Sequence, residues 1–221
     1  MIIKDLREAI RLMSYSSEAK KSYVMAGLML LLGMAAVGSG DSGMGVAGAV
    51  IMLLAPHMLF QLYMRVNSIR VVLASPQSYR LQTTVMATFM TALQMVGFCL
   101  SVLAVVLLAC LGAVEFDFVG KISLVLLSVA LMCMIYSVFC YRFFIASTVC
   151  YVLAYFGLTI LLNRNSEWFG AIQISWPIGL AVGLVCILLA WFPIRLIAAV
   201  MVRYPMDYKA FGVAGRELSG Q

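Results

Sequence analysis

Six stretches of this chain run for about the length of a bilayer-crossing helix without a single aspartate, glutamate, lysine or arginine, and that pattern limits the fold more than any motif. A spanning helix needs about 20 largely apolar residues. The intervals between ionisable landmarks supply 19 residues from Lys21 to Asp41, 23 from Asp41 to Arg65, 34 from Arg80 to Glu115, 20 from Lys121 to Arg142, 21 from Arg142 to Arg164 and 27 from Glu167 to Arg195. The third interval exceeds one span, so its polar start, Leu81-Gln82-Thr83-Thr84, is expected outside the hydrocarbon, with the helix proper beginning near Val85. The segments are continuously apolar and do not alternate over about ten residues, so helices are expected and not the strands of a barrel. A cleavable signal peptide is not expected either, because a charged segment of 21 residues precedes the first run and a second span follows it. The predicted fold is an all-α integral membrane protein: an amphipathic interfacial helix within residues 1–21, six transmembrane helices within 22–203, and a tail from 204 to 221.

Composition agrees with the bilayer as solvent, since 64% of residues are hydrophobic, 11% are charged and the mean hydropathy is +1.05. Charge then orients the chain. Assigning alternate connections to opposite faces puts thirteen of the fifteen basic residues on one side, namely Lys4, Arg7, Arg11, Lys20 and Lys21 before the first span, Arg65, Arg70 and Arg80 between the second and third, Arg142, and Arg195, Arg203, Lys209 and Arg216 at the end. The other side keeps Lys121 and Arg164 beside Asp41, Glu115, Asp117 and Glu167. By the positive-inside rule the rich side is cytoplasmic, with both termini there. The net charge of +6 is therefore a topology signal. It does not point to nucleic acid, because the bases flank spans and are not interleaved with stacking aromatics.

No catalytic centre emerges. All six cysteines fall within predicted spans without metal-ligand spacing, so no metal site or disulfide framework is expected. Gly40-Asp41-Ser42-Gly43 looks like a serine-nucleophile loop, but the one histidine, His57, lies in the next span and cannot serve as its base. His57 follows Pro56 in mid-span. An ionisable residue at that depth fits a packing role, bonding a carbonyl freed by the proline, or a place on a substrate path; proton coupling is disfavoured, because no Asp or Glu in a predicted span completes a relay. Gln61, one turn on, and Gln94 in the third span are the companion candidates for such a path. Gly27, Gly33, Gly179 and Gly183 read as close-packing positions, with a dimer seam as the other meaning of the Gly179/Gly183 pair. The run from Asn163 to Trp176 carries Trp168, Phe169 and Trp176 at interface height, either as a re-entrant element or as an aromatic-anchored loop.

On the basic face, Ile2, Leu6, Ile10 and Met13 recur at helical spacing among Lys4, Arg7, Glu8 and Arg11, describing a helix lying on the inner leaflet and available to a partner. In the second-to-third connection, Ser75 before Pro76 is a helix start, and Gln77, Ser78, Tyr79 and Arg80 then form a short helix across the membrane face. On composition alone an ordinary polar connection is the favoured reading.

The amphipathic leading helix, the six spans with cytoplasmic ends, the tight turn at Arg142 and the Ser75-Pro76-x-Ser78-x-Arg80-Leu81 element together resemble the permease subunits of type-two ABC exporters. The resemblance covers nearly the whole chain through a short motif, in which Tyr79 stands between the serine and the arginine. It implies that Ser75, Pro76, Gln77, Ser78, Tyr79 and Arg80 are a coupling helix seated in a separate ATPase subunit that binds ATP and Mg. It also implies a homodimer or paired permease in a bacterial inner or plasma membrane. This chain itself has no Gly-x-x-x-x-Gly-Lys-[Ser/Thr] loop, so no cofactor is expected within it. Sixteen methionines and many aromatics suit an amphipathic or hydrophobic cargo, such as a small peptide. A membrane scaffold or assembly factor is the alternative. A secondary transporter is disfavoured, because no carboxylate falls within a predicted span.

Overall fold

The computed structural model describes residues 2–16, 18–39, 42–67, 70–112, 115–164 and 174–204. Among them every regular element is helical: α1 (Ile2–Ser14), α2 (Ala19–Val37), α3 (Ser42–Asn67), α4 (Arg70–Leu73), α5 (Ser78–Arg80), a π-helical turn (Leu81–Val85), α6 (Met86–Cys110), α7 (Phe116–Cys140), α8 (Phe144–Arg164) and α9 (Trp176–Met201). Gly40 and Asp41 of the serine-like loop, Trp168 and Phe169 of the aromatic run, and the tail from 205 to 221 lie outside the described residues.

Five helices are long and apolar enough to cross a membrane: Ala19–Val37, Ala47–Asn67, Ser78–Cys110, Phe116–Cys140 and Trp176–Met201. A shorter apolar stretch, Phe144–Gly157, opens α8. Their apolar surface is distributed in a way that water would penalise. The central helices α6 and α7 bury residues around much of their circumference, whereas α2, α8 and α9 leave Leu31, Leu32, Leu153, Phe156, Leu189 and Phe192 exposed. Such apolar outer faces are what lipid covers.

Small residues set the closest approaches. A Cβ added at Gly33 would fall 2.7 Å from the Gly48 carbonyl oxygen, and one added at Gly48 would fall 2.8 Å from the amide nitrogen of Val37, so α2 and α3 cross there in backbone contact. Gly27, by contrast, has open space around it. Gly97 admits Pro56, whose Cγ would stand 3.0 Å from a Cβ at that site. Gly179 and Gly183 of α9 pack against Ser123 of α7 and Phe98 of α6, so this pair serves contacts within the chain. The one positive φ among the described residues is at Gly112, at +76°, where the left-handed conformation ends α6 and turns the chain toward α7.

The second-to-third connection differs from expectation. Ser75 to Gln77 form a turn, and Gln77, not Ser75, occupies the cap position of α5. Helix then continues without interruption from Ser78 through the π-helical turn into α6. Leu81, Gln82, Thr83 and Val85 are buried within it, so the polar start is structured and not a free linker. The reason is local. The hydroxyl of the fully buried Tyr63 donates to the Leu81 carbonyl at 2.6 Å, and the Met86 amide bonds the same oxygen across the widened turn.

Candidate functional site

The residues of the basic connection are gathered at one end of the bundle with three other segments. Arg80 Nη2 lies 2.5 Å from Asp5 Oδ1 and 3.0 Å from Glu8 Oε2, joining the connection to α1. Arg65 at the end of α3 pairs with Glu18 at the start of α2. Arg142, in the turn between α7 and α8, donates to Gln82 Oε1 at 2.6 Å and to the carbonyl of Tyr204 beyond α9. The ring of Tyr204 meets Phe143 edge-on with centroids 5.3 Å apart. The segments that alternate assignment placed on one face therefore touch one another. The start of α9 lies at the other end, where Ile174 presses on Gly120 in the first turns of α7.

The leading helix is held more deeply than its periodicity announces. Ala9 and Met13 are buried against the bundle with Asp5, which is 1% exposed, while Ile2 and Ile10 remain exposed. Its apolar residues thus divide between the protein and the surroundings. In the connection itself Pro76, Gln77 and Tyr79 are exposed, whereas Ser75 and Ser78 are half-buried. The outward edge of the turn is therefore proline, glutamine and an aromatic ring, and Arg80 points back into the protein.

Within the apolar core the three path candidates separate. His57 Nδ1 lies 3.2 Å from Ser137 Oγ, which itself donates to the Cys133 carbonyl at 2.6 Å. The serine proton is spent on that carbonyl, which makes the imidazole Nδ1–H the donor. His57 also stacks on Phe60, with centroids 5.9 Å apart. It is thus tied to α7 and not to the carbonyl ladder beside Pro56. Gln61 faces elsewhere, lining a groove with Lys21 and Ser22 of α2. Gln94 is 1% exposed, and its Oε1 has no hydrogen-bond partner among the described residues; the same holds for Thr91 Oγ1 one turn before it. One turn earlier still, Thr88 Oγ1 accepts from Trp191 Nε1 of α9 at 3.1 Å. A polar stripe therefore runs along α6 through its most apolar surroundings.

No sequence signal announced a groove of about 450 Å³ between α7 and α8. Met132, Ile135 and Phe139 form one wall, and Ala146, Cys150 and Ala154 the other. Tyr136 and Tyr151 lie across it with ring centroids 4.9 Å apart. Their hydroxyls are engaged within the protein, Tyr136 with Thr148 at 3.5 Å and Cys140 at 3.3 Å, and Tyr151 with Cys133 at 3.5 Å. What the groove presents is carbon. The volume is in the range of sites for small organic molecules.

Among the described residues no group of three or more His, Cys, Asp or Glu side chains could hold a metal ion, and all six cysteines are free. Gly120 lies inside α7 and packs closely against the Ile174 carbonyl. No family model, curated protein or solved structure matches this chain.

Proposed function

We propose that this chain is the permease subunit of an ABC exporter, with α2, α3, the continuous α5–α6 helix, α7, α8 and α9 as six spans and the basic end in the cytoplasm. ATP and Mg are bound by a separate ATPase subunit, and two permeases pair around the path. At 21 residues, α8 is about 31 Å long, enough for the hydrocarbon core. An even number of crossings accords with the start of α1 and the end of α9 meeting at one end.

One observation carries the reading. Arg80 clamps α1 to a connection that is continuous with α6, so a push on the exposed Pro76–Tyr79 edge moves the leading helix and a core helix as one rigid piece. Rigid-body rocking of packed helices is the way such a lever opens one side of a bundle and closes the other. The carbon-lined α7–α8 groove suits the apolar part of an amphipathic cargo, and the Thr88–Thr91–Gln94 stripe offers polar stations deeper in.

Co-purification in mild detergent tests the proposal. Wild type is expected to bring an ATPase with it. A variant carrying Pro76→Gly, Gln77→Ala and Tyr79→Ala, all exposed positions, is expected to lose the ATPase while keeping its own thermal stability. Absence of any ATPase from both samples would overturn the exporter reading in favour of a membrane scaffold.

A further inference from the structure

At the basic end, the α2–α3 hairpin opens into a groove of about 280 Å³ whose lining changes from charged to apolar along its length. The opening follows from the packing. Gly33 and Gly48 bring the two backbones into contact in the far half of the hairpin, and toward the basic end the larger Met25 and Met58 stand at the corresponding positions. Lys21, Ser22 and Gln61 line the groove about one helical turn nearer the basic end than Met25 and Met58, and the buried Leu62 stands beside Gln61. Glu18 and Arg65 form the remaining wall as an ion pair. Lys21 and Met25 are exposed, so both halves are open to a visitor from outside the protein.

We propose that this groove binds one anionic phospholipid of the inner leaflet. Its phosphate sits at Lys21, Ser22 and Gln61, and an acyl chain runs along Met25 and Met58. The charges are complementary. Glu18 offsets one of the two cations in the lining, leaving a net single positive charge opposite a phosphodiester of single negative charge. Ser22 and Gln61 add hydroxyl and amide donors for the phosphate oxygens. Position argues for a lipid over a soluble phosphate. Lys21 immediately precedes the first charge-free run and Arg65 immediately follows the second, so the polar half of the groove lies at headgroup level and the methionines lie below it. Methionine is suited to lining a site for a chain of variable shape. This site gives Gln61 a role apart from His57, and it rests on membrane insertion with the basic end at the inner leaflet, whatever the protein carries.

Native mass spectrometry of the detergent-purified full chain, titrated with phosphatidylglycerol or phosphatidylcholine of matched chains, tests the site. Wild type is expected to retain one phosphatidylglycerol in preference to phosphatidylcholine. Lys21→Gln is expected to weaken that retention about five-fold, the worth of one basic residue near a membrane surface. Combining it with Gln61→Leu is expected to abolish the preference, and Lys4→Gln on α1 to leave it unchanged. Equal retention of the two lipids by wild type, or equal losses in Lys4→Gln and Lys21→Gln, would overturn the proposal by showing only a diffuse charge effect. Displacement of the lipid by millimolar inorganic phosphate would overturn it as well, assigning the groove to a free anion. Neither result touches the ATPase co-purification, so the two proposals fail separately.

Discussion

The guanidinium of Arg80 bridges Asp5 and Glu8, residues 75 and 72 positions earlier in the chain, at 2.5 Å and 3.0 Å. Asp5 is 1% exposed and Arg80 37%, so the carboxylate depends on its partner while the arginine keeps some water. Removing one side of a buried pair strands the other charge, at a cost of about 3–5 kcal/mol when both are enclosed. Arg80→Gln is expected to cost about 2 kcal/mol, less than that range because Arg80 is partly hydrated. The double variant Asp5→Asn/Arg80→Gln should recover part of the loss. Thermal denaturation in detergent measures both, and a double variant no better than Arg80→Gln would show that the pair does not fasten α1.

The α2–α3 crossing has a sharp steric signature. Gly33→Ala forces a methyl group against the Gly48 carbonyl and Met52, and is expected to destabilise by about 1–3 kcal/mol. Gly27→Ala, with open space at that position, is expected to stay within about 0.5 kcal/mol of wild type. Comparable melting temperatures for the two would contradict the backbone contact.

Ser137 is the acceptor for the His57 ring and a donor to its own helix. Ser137→Ala leaves a buried N–H without its partner, and the expected loss is about 1–3 kcal/mol. Ser128, on the same helix, bonds only the Leu124 carbonyl one turn earlier among the contacts described for it. Its replacement by alanine is expected to cost no more than about 0.5 kcal/mol. The difference between the two serines isolates the contact with His57.

Six crossings require Glu115 and Arg203 to lie on opposite sides of the membrane. In a background with the six native cysteines replaced, a cysteine at 115 is expected to react with an impermeant maleimide in intact cells, and one at 203 only after permeabilisation. Labelling of both from outside would mean an odd number of crossings between the α6–α7 turn and the end of α9 is wrong.

The α7–α8 groove can be filled without touching the bundle core, because Ala146 is exposed on its wall. Ala146→Trp is expected to reduce export by at least about ten-fold if the cargo enters there, with ATPase co-purification and thermal stability unchanged. Unaltered export would remove the groove from the path.

The sequence alone determined where long apolar helices run, because length without charge is a property of consecutive residues and adds up locally. The run from Lys21 to Asp41 reappears as α2 at Ala19–Val37, and that from Lys121 to Arg142 ends where α7 does. Alternating charge also anticipated that Arg65, Arg80 and Arg142 belong to one end. Only the tertiary structure decided which side of each helix meets which neighbour. These helices are apolar all round, so periodicity names no inward face. The choice falls to non-local contacts: Gly33 finding Gly48, Pro56 finding Gly97, His57 finding Ser137. For α1 the periodicity was clear and still incomplete. It could mark Leu6 and Met13 as apolar, but the burial of Asp5 depends on an arginine that the chain delivers only after two long helices have crossed and returned. The two grooves have the same origin, since each is the space left between a pair of helices whose separation neither sequence specifies by itself.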